Sequence, residues 1–360
     1  MNTVVRQAGR VAGGALGVTA AVAAGLAAGR LVAGRSLARL PDEAPVPGSV
    51  GLGRPARVRT DDGLVLDAEV DEPLEPPHAS APVPTVVLAH GYALSRACWH
   101  YQRLHLRRRY RVVSYDQRSH GHSQQAPADT CTVAACGRDL GSVIDQLVPT
   151  GPVVLIGHSM GGMSILSLAA QRPQLLADRV NGAALLCTTA GGLGDFAFGL
   201  DGALGSLVGK GTPALVRSLR RAPRLLEHGR EPGHDLSLVL TRMFTFGGPV
   251  PRARLQFVAG LLAATPLGVL ADFYPTFGGF DGTPGVELLA GQLVGTGRPT
   301  LVVGAAQDRI TPVAHSRALA TRLPGADYLE LDPCGHMAMI EHPKTVNDRL
   351  SLLLARAERR

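Results

Sequence analysis

The 360-residue chain carries 36 Lys+Arg against 29 Asp+Glu, a formal net charge of +7. Eight arginines against two acids in residues 1–60 supply +6 of that charge, so residues 61–360 sit near neutrality at +1, which argues against a nucleic-acid-binding face. A hydrophobic content of 45% with 18% charged residues excludes a disordered chain and gives core enough for one large domain, or one domain with an insertion.

Residues 11–29 (VAGGALGVTAAVAAGLAAG) carry no charge and are bracketed by Arg6 and Arg10 on one side and Arg30, Arg35 and Arg39 on the other. As a helix this stretch matches a bilayer core of roughly 30 Å. It is read as a membrane anchor, although eight alanines and five glycines make it weakly apolar. A secretory signal and a soluble tail are the rival readings. Residues 41–56 hold four prolines and read as a linker. Residues 1–48 are accordingly set apart from the body.

From residue 57 the pattern changes. Residues 57–70 predict a hairpin turning at Asp61-Asp62-Gly63. Apolar, Val/Leu-rich runs at 84–90, 110–116, 152–158, 182–188, 299–305 and 326–332 predict strands buried on both faces. Residues 133–147, 159–171, 313–323 and 343–356 predict helices between or after them. This alternation predicts an α/β fold with a mostly parallel sheet and flanking helices. Residues 190–295 break the rhythm and contain all eight phenylalanines (196, 198, 244, 246, 257, 273, 277 and 280). They are read as a largely helical cap inserted into a core made of 49–189 and 296–360. The rings form either the cap's own core or the wall of an apolar substrate cavity.

Gly157-His158-Ser159-Met160-Gly161-Gly162 stands between a predicted strand and a predicted helix, which is the context a G-x-S-x-G nucleophile turn needs. The glycines make room for a sharp turn, and Ser159 emerges at a helix start where unpaired N–H groups can meet a developing anion. A serine hydroxyl needs a base, and the base an orienting acid. Asp308, after the strand at 299–305, and His336, after the strand at 326–332, supply them in the order Ser, Asp, His. The backbone N–H groups of Met160 and of Tyr92, in His90-Gly91-Tyr92, are the candidate oxyanion donors. His90 and His342 are assigned structural roles, and Trp99 is expected to pack a helix on the sheet.

Over roughly residues 55–358 the chain resembles the α/β-hydrolase fold family. The resemblance implies Ser159 as nucleophile, Asp308 as acid, His336 as base, and Tyr92 and Met160 as oxyanion donors. Asp116-Gln117-Arg118-Ser119-His120-Gly121-His122-Ser123 resembles the family's D-x-R-G-H-G-x-S loop, with Ser119 where glycine is usual. Asp116 and Arg118 are expected to hold that loop together. Ser-Met-Gly-Gly at the elbow resembles lipase- and monoacylglycerol-lipase-like members, and a serine rather than an aspartate there argues against an epoxide hydrolase or haloalkane dehalogenase.

The remaining features are bland. Arg107-Arg108-Arg109, with Arg103 and Arg111, reads as a solvated helix end. Five cysteines without C-x-x-C spacing indicate neither a disulfide framework nor a zinc site. No phosphate loop or dinucleotide fingerprint occurs, and no cofactor or metal is expected. The expected function is a serine hydrolase acting on carboxylic esters, lipid-like or apolar acyl esters, through an acyl-enzyme. A cofactor-free haloperoxidase or perhydrolase, a thioesterase and an acyltransferase use the same triad and are the alternatives. A non-catalytic binding protein on the same fold would show a damaged triad, and all three members are present.

Overall fold

Alternating side chains sort the strand residues into two cores, one on each face of a single sheet. The computed structural model describes residues 53–75, 83–193 and 235–359. Strands β1 (Arg54–Arg59) and β2 (Val65–Asp71) form the expected antiparallel hairpin, with Arg59 opposite Val65. Its turn uses Gly63 at φ 85°, a conformation only glycine adopts freely. The sheet continues through β3 (Thr85–Ala89), β4 (Val112–Tyr115), β5 (Val153–His158), β6 (Val180–Leu186), β7 (Thr300–Ala305) and β8 (Asp327–Leu331). The spatial order is β1-β2-β4-β3-β5-β6-β7-β8. β2 pairs antiparallel with β4, and every pair from β4 to β8 is parallel.

Helices α1 (His100–Leu106), α2 (Val133–Leu147), α3 (Met160–Gln171) and α4 (Pro173–Arg179) cover the first half of the sheet. The Thr132 hydroxyl caps α2 by accepting from the Ala135 N–H at 3.1 Å. α4 runs directly into β6, so that strand begins at Val180, ahead of the predicted Gly182. After α5 (Asp235–Thr245), α6 (Arg252–Ala264), α7 (Leu267–Gly278) and α8 (Thr283–Gln292) come α9 (Val313–Arg322), the short α10 (Ala338–Glu341) and α11 (Pro343–Ala357).

One core joins Val87, Leu155 and Leu185 to Leu140 and Ile144 of α2, Leu166 of α3 and Leu289 of α8. The other joins Leu88, Ile156 and Leu186 to Trp99, Leu106 of α1 and Leu350 and Leu354 of α11. Consecutive residues of one strand thus point to opposite cores. Each buried leucine contributes about 1.5–3 kcal/mol by leaving water.

Within 190–295, α6 and α7 meet at 88°, and α8 lies in the layer that flanks the sheet. A Cβ added to Gly285 would come within 2.1 Å of the Leu166 carbonyl oxygen, so α8 and α3 touch backbone to backbone. Phe273 is fully buried and Phe246 nearly so, whereas Phe196 and Phe198 lie outside the described residues. The uncharged stretch 11–29 also lies outside them, and among the described residues no single helix is long and apolar enough to cross a membrane.

The arginine run corrects a sequence expectation in part. Arg108 and Arg109 are exposed, as expected of a solvated helix end, but the arginines that flank them are buried or paired. Arg103 is buried and bonds Asp71 (2.8 Å) and Glu69 on β2, Arg109 pairs with Glu358 (2.6 Å), and Arg111 pairs with Glu72 (3.3 Å). The acids that attract these cations stand some 30 residues upstream or at the far C-terminus, out of reach of local patterning.

Candidate active site

Ser159 stands alone between β5 and α3, with φ 52° and ψ −119°. A non-glycine residue there stores strain of order 1–3 kcal/mol, which the surroundings must hold in place. They do so sterically and by hydrogen bonds. A Cβ on Gly157 would lie 2.5 Å from the Gly161 carbonyl carbon, and one on Gly161 would lie 2.0 Å from the Ala89 oxygen. The Ser159 carbonyl accepts from the Gly162 N–H (2.9 Å) and from the Thr188 hydroxyl (2.7 Å). Met160 opens α3, so its N–H has no acceptor within the helix.

The loop after β3 lies directly on this turn. A Cβ on Gly91 would be 2.8 Å from His158 Nδ1 and 3.1 Å from Ser159 Cβ. Tyr92 follows, and its ring packs on Phe277 (centroids 5.0 Å) and Phe273 (6.5 Å), while its hydroxyl donates to the Leu270 carbonyl of α7. It is a packed residue rather than an exposed loop aromatic.

Two histidines fix the loop. His90 Nδ1 donates to the Gly91 carbonyl (2.7 Å) and its Nε2 accepts from the Gln117 N–H (2.9 Å). His120 Nδ1 donates to the Arg118 carbonyl (2.9 Å) and its Nε2 accepts from the Ala93 N–H (3.2 Å). Burial pushes His90 down to about 4 and, together with the neighbouring His90, pushes His120 down to about 3, so both work as neutral rings. His90 has the structural role expected of it.

The 116–123 loop is tied as the sequence suggests. Asp116 accepts from the N–H groups of Arg96 (2.7 Å) and His122 (2.9 Å), and Arg118 makes two 2.7 Å bonds to Asp139. Asp61, Asp62 and Asp139 lie close enough together to be a candidate metal centre, but Arg118 and Arg138 already pair with them at 2.7–3.3 Å.

Asp308 follows β7 and His336 follows β8. His336 Nδ1 meets Asp308 Oδ2 at 2.8 Å. The other oxygen, Oδ1, accepts from the N–H groups of Ile310 (2.8 Å) and Thr311 (2.9 Å). Burial pushes the Asp308 carboxyl upward, but His336 and these hydrogen bonds outweigh it and hold it below its ordinary value. Asp308 is therefore an anion aimed at the imidazole. His336 is tied to the serine turn through His158, whose Nε2 donates to the His336 carbonyl (2.9 Å) and whose ring lies 4.7 Å from the His336 ring. Burial and the adjacent His336 push His158 down to about 3. Ser159 and His336 are not hydrogen-bonded to each other in this conformation.

Three supports escaped sequence reasoning: Arg96, His158 and Glu341. Arg96 pairs with Asp67, Glu69 and Asp116 just past the Tyr92 loop. Glu341 accepts from the Gly335 N–H at 2.8 Å, beside His336. For His158 a signal existed, since it is the residue between Gly157 and Ser159. The acids that pair with Arg96 lie 20 or more residues away, and Glu341 also accepts from the remote Gly247 and Gly248.

Comparison with known proteins agrees with this architecture. A family model described as alpha/beta hydrolase fold matches residues 84–343. An uncharacterized protein of Mycobacterium bovis is 27% identical over 272 residues, covering 72% of each chain. A thermophilic esterase from Thermogutta terrifontis superposes with a TM-score of 0.59 at 22% identity, covering 85% of this chain and 100% of its own. A bromoperoxidase from Bacillus anthracis does so with a TM-score of 0.63 at 20% identity, covering 84% and 100%. With strand order, serine turn and family match in agreement, the chain belongs to the alpha/beta hydrolase fold family.

Proposed function

We propose that the protein is a serine hydrolase that cleaves small, apolar carboxylic esters. The observation that carries this reading is the 2.8 Å pairing of His336 with an ionised Asp308, tied through His158 to the turn that holds a serine at φ 52°. As the Ser159 hydroxyl attacks the ester carbonyl, His336 Nε2 takes its proton. Asp308 fixes the ring orientation and stabilises the imidazolium. The N–H groups of Met160 and Tyr92 receive the oxyanion. The alcohol leaves with the proton from His336, and water then repeats the attack on the acyl-enzyme. The half-buried Tyr92 and Phe277 rings beside the oxyanion loop support an apolar acyl or alcohol group.

Ser159→Ala should lower kcat on p-nitrophenyl esters by at least about 10³-fold while the protein stays folded. Undiminished turnover in that variant overturns the assignment. Esters of graded chain length report the pocket, and hydrogen peroxide or an alcohol as competing acceptor separates hydrolysis from perhydrolysis and acyl transfer. The esterase and bromoperoxidase neighbours share the fold, so only the products distinguish these reactions.

A further inference from the structure

The loop that carries His336 and the helices after residue 235 share a joint that the proposed reaction does not use. A Cβ on Gly247 would lie 2.4 Å from the Cys334 carbonyl carbon, and one on Gly335 would lie 2.6 Å from the Gly247 nitrogen, so the two backbones touch. The Met337 N–H donates to the Thr245 carbonyl at 3.1 Å. Arg254 of α6 donates to the carbonyls of Ile340 (2.9 Å) and Glu341 (3.2 Å). At the centre of the joint is the buried carboxylate of Glu341. Its Oε1 accepts from the Gly248 N–H (2.6 Å), its Oε2 from the Gly335 N–H (2.8 Å), and the Gly247 N–H lies 3.2 Å from both. Three backbone donors, one six residues away and two more than ninety away, converge on one side chain, and charge-assisted bonds of this kind compensate its burial.

We propose that Glu341 is a positioning residue for His336, an inference that rests on reading His336 as the base. The backbone around His336 is held by Glu341, by His158 and by the Thr245 carbonyl that accepts from the Met337 N–H. Glu341 grips the peptide N–H of Gly335, the preceding residue, and His158 grips the His336 carbonyl. Asp308 holds the ring. Through Glu341, the Phe246–Gly248 turn between α5 and α6 becomes part of the frame that sets how far Nε2 reaches toward Ser159. Releasing the first grip leaves Asp308 able to move the ring along with its loop. A misplacement of about 1 Å in such a group costs about 10²-fold in rate.

The test compares Glu341→Ala and Glu341→Gln in the full chain, with Ser159→Ala as control. Three quantities are read: kcat and KM, with active sites counted by a fluorophosphonate, and the low-field proton resonance of the His336 Nδ1–H bonded to Asp308, assigned by its loss in His336→Gln. Glu341→Ala should lower kcat about 10²-fold with KM nearly unchanged, and should broaden the resonance. Glu341→Gln keeps one carbonyl acceptor and should recover about tenfold of the loss. A folded Glu341→Ala with wild-type kcat and an unchanged resonance overturns the proposal. If Glu341→Ala does not fold, Glu341→Gln decides, and wild-type values of kcat and of the resonance in it overturn the proposal. If the wild-type protein turns over no ester, the functional reading fails, and the resonance alone then decides whether Glu341 holds His336.

Discussion

Ser119 occupies φ 65°, a left-handed conformation that costs a residue with a side chain about 1–2 kcal/mol. The family pattern has glycine there. The serine returns part of that cost, because its hydroxyl accepts from the Ala126 N–H at 2.9 Å in a buried setting. Ser119→Gly removes strain and bond together and should change stability by no more than about 1 kcal/mol. Ser119→Ala keeps the strain and leaves the Ala126 N–H without its partner, so it should destabilise by about 1–2 kcal/mol. Urea unfolding of the two variants checks this, and an alanine variant as stable as the glycine one refutes it. Gly121 in the same loop has no such freedom, since a Cβ at its φ of 55° would lie 2.3 Å from the Asp116 carboxyl.

At the scale of elements, charge fastens α1 to β2. Arg103 and Asp71 are both buried and bonded at 2.8 Å, and Arg107 stands 3.9 Å from the same carboxylate. Arg103→Met strands a buried carboxylate and should destabilise the protein by about 3 kcal/mol, seen as a lower denaturant midpoint with turnover per active site unchanged. This is also where sequence reading was weakest. The elbow, the strand cores and α2 were legible because each is specified by neighbours within one or two turns: Gly157 and Gly161 around Ser159, Thr132 ahead of α2, uninterrupted Val and Leu in β5. The pairing of Arg103 and Arg111 was missed because their acids sit in another part of the chain. Glu341 was missed because Gly247 and Gly248 precede it by 94 and 93 residues. The start of β6 was misplaced because α4 leads into it without a turn residue.

At the scale of the whole molecule, three fully buried histidines among the described residues are kept neutral by burial, His90 at about 4 and His120 and His158 at about 3. Unfolded, each titrates near 6.5. Their folded values are depressed, so the unfolded chain binds more protons below pH 6.5. Stability is therefore full above that pH and lost as pH falls toward 4 and below, each ring adding a slope of up to about 1.4 kcal/mol per pH unit. Calorimetric Tm values between pH 7.5 and 4.5 should fall steeply on the acid side, and a flat profile refutes the account.

The strand order has a consequence for synthesis. Ser159 rides on β5 in mid-chain, whereas Asp308 and His336 follow β7 and β8. On the ribosome the serine turn is made long before the Asp308–His336 pair. Until residues 300–305 arrive, β6 has no neighbour on the side that β7 will occupy, and it offers an unpaired edge of buried residues. A nascent chain of this protein is thus sticky before it can be reactive. A chain ended anywhere from residue 160 to residue 335 keeps its serine but has lost the histidine paired with Asp308.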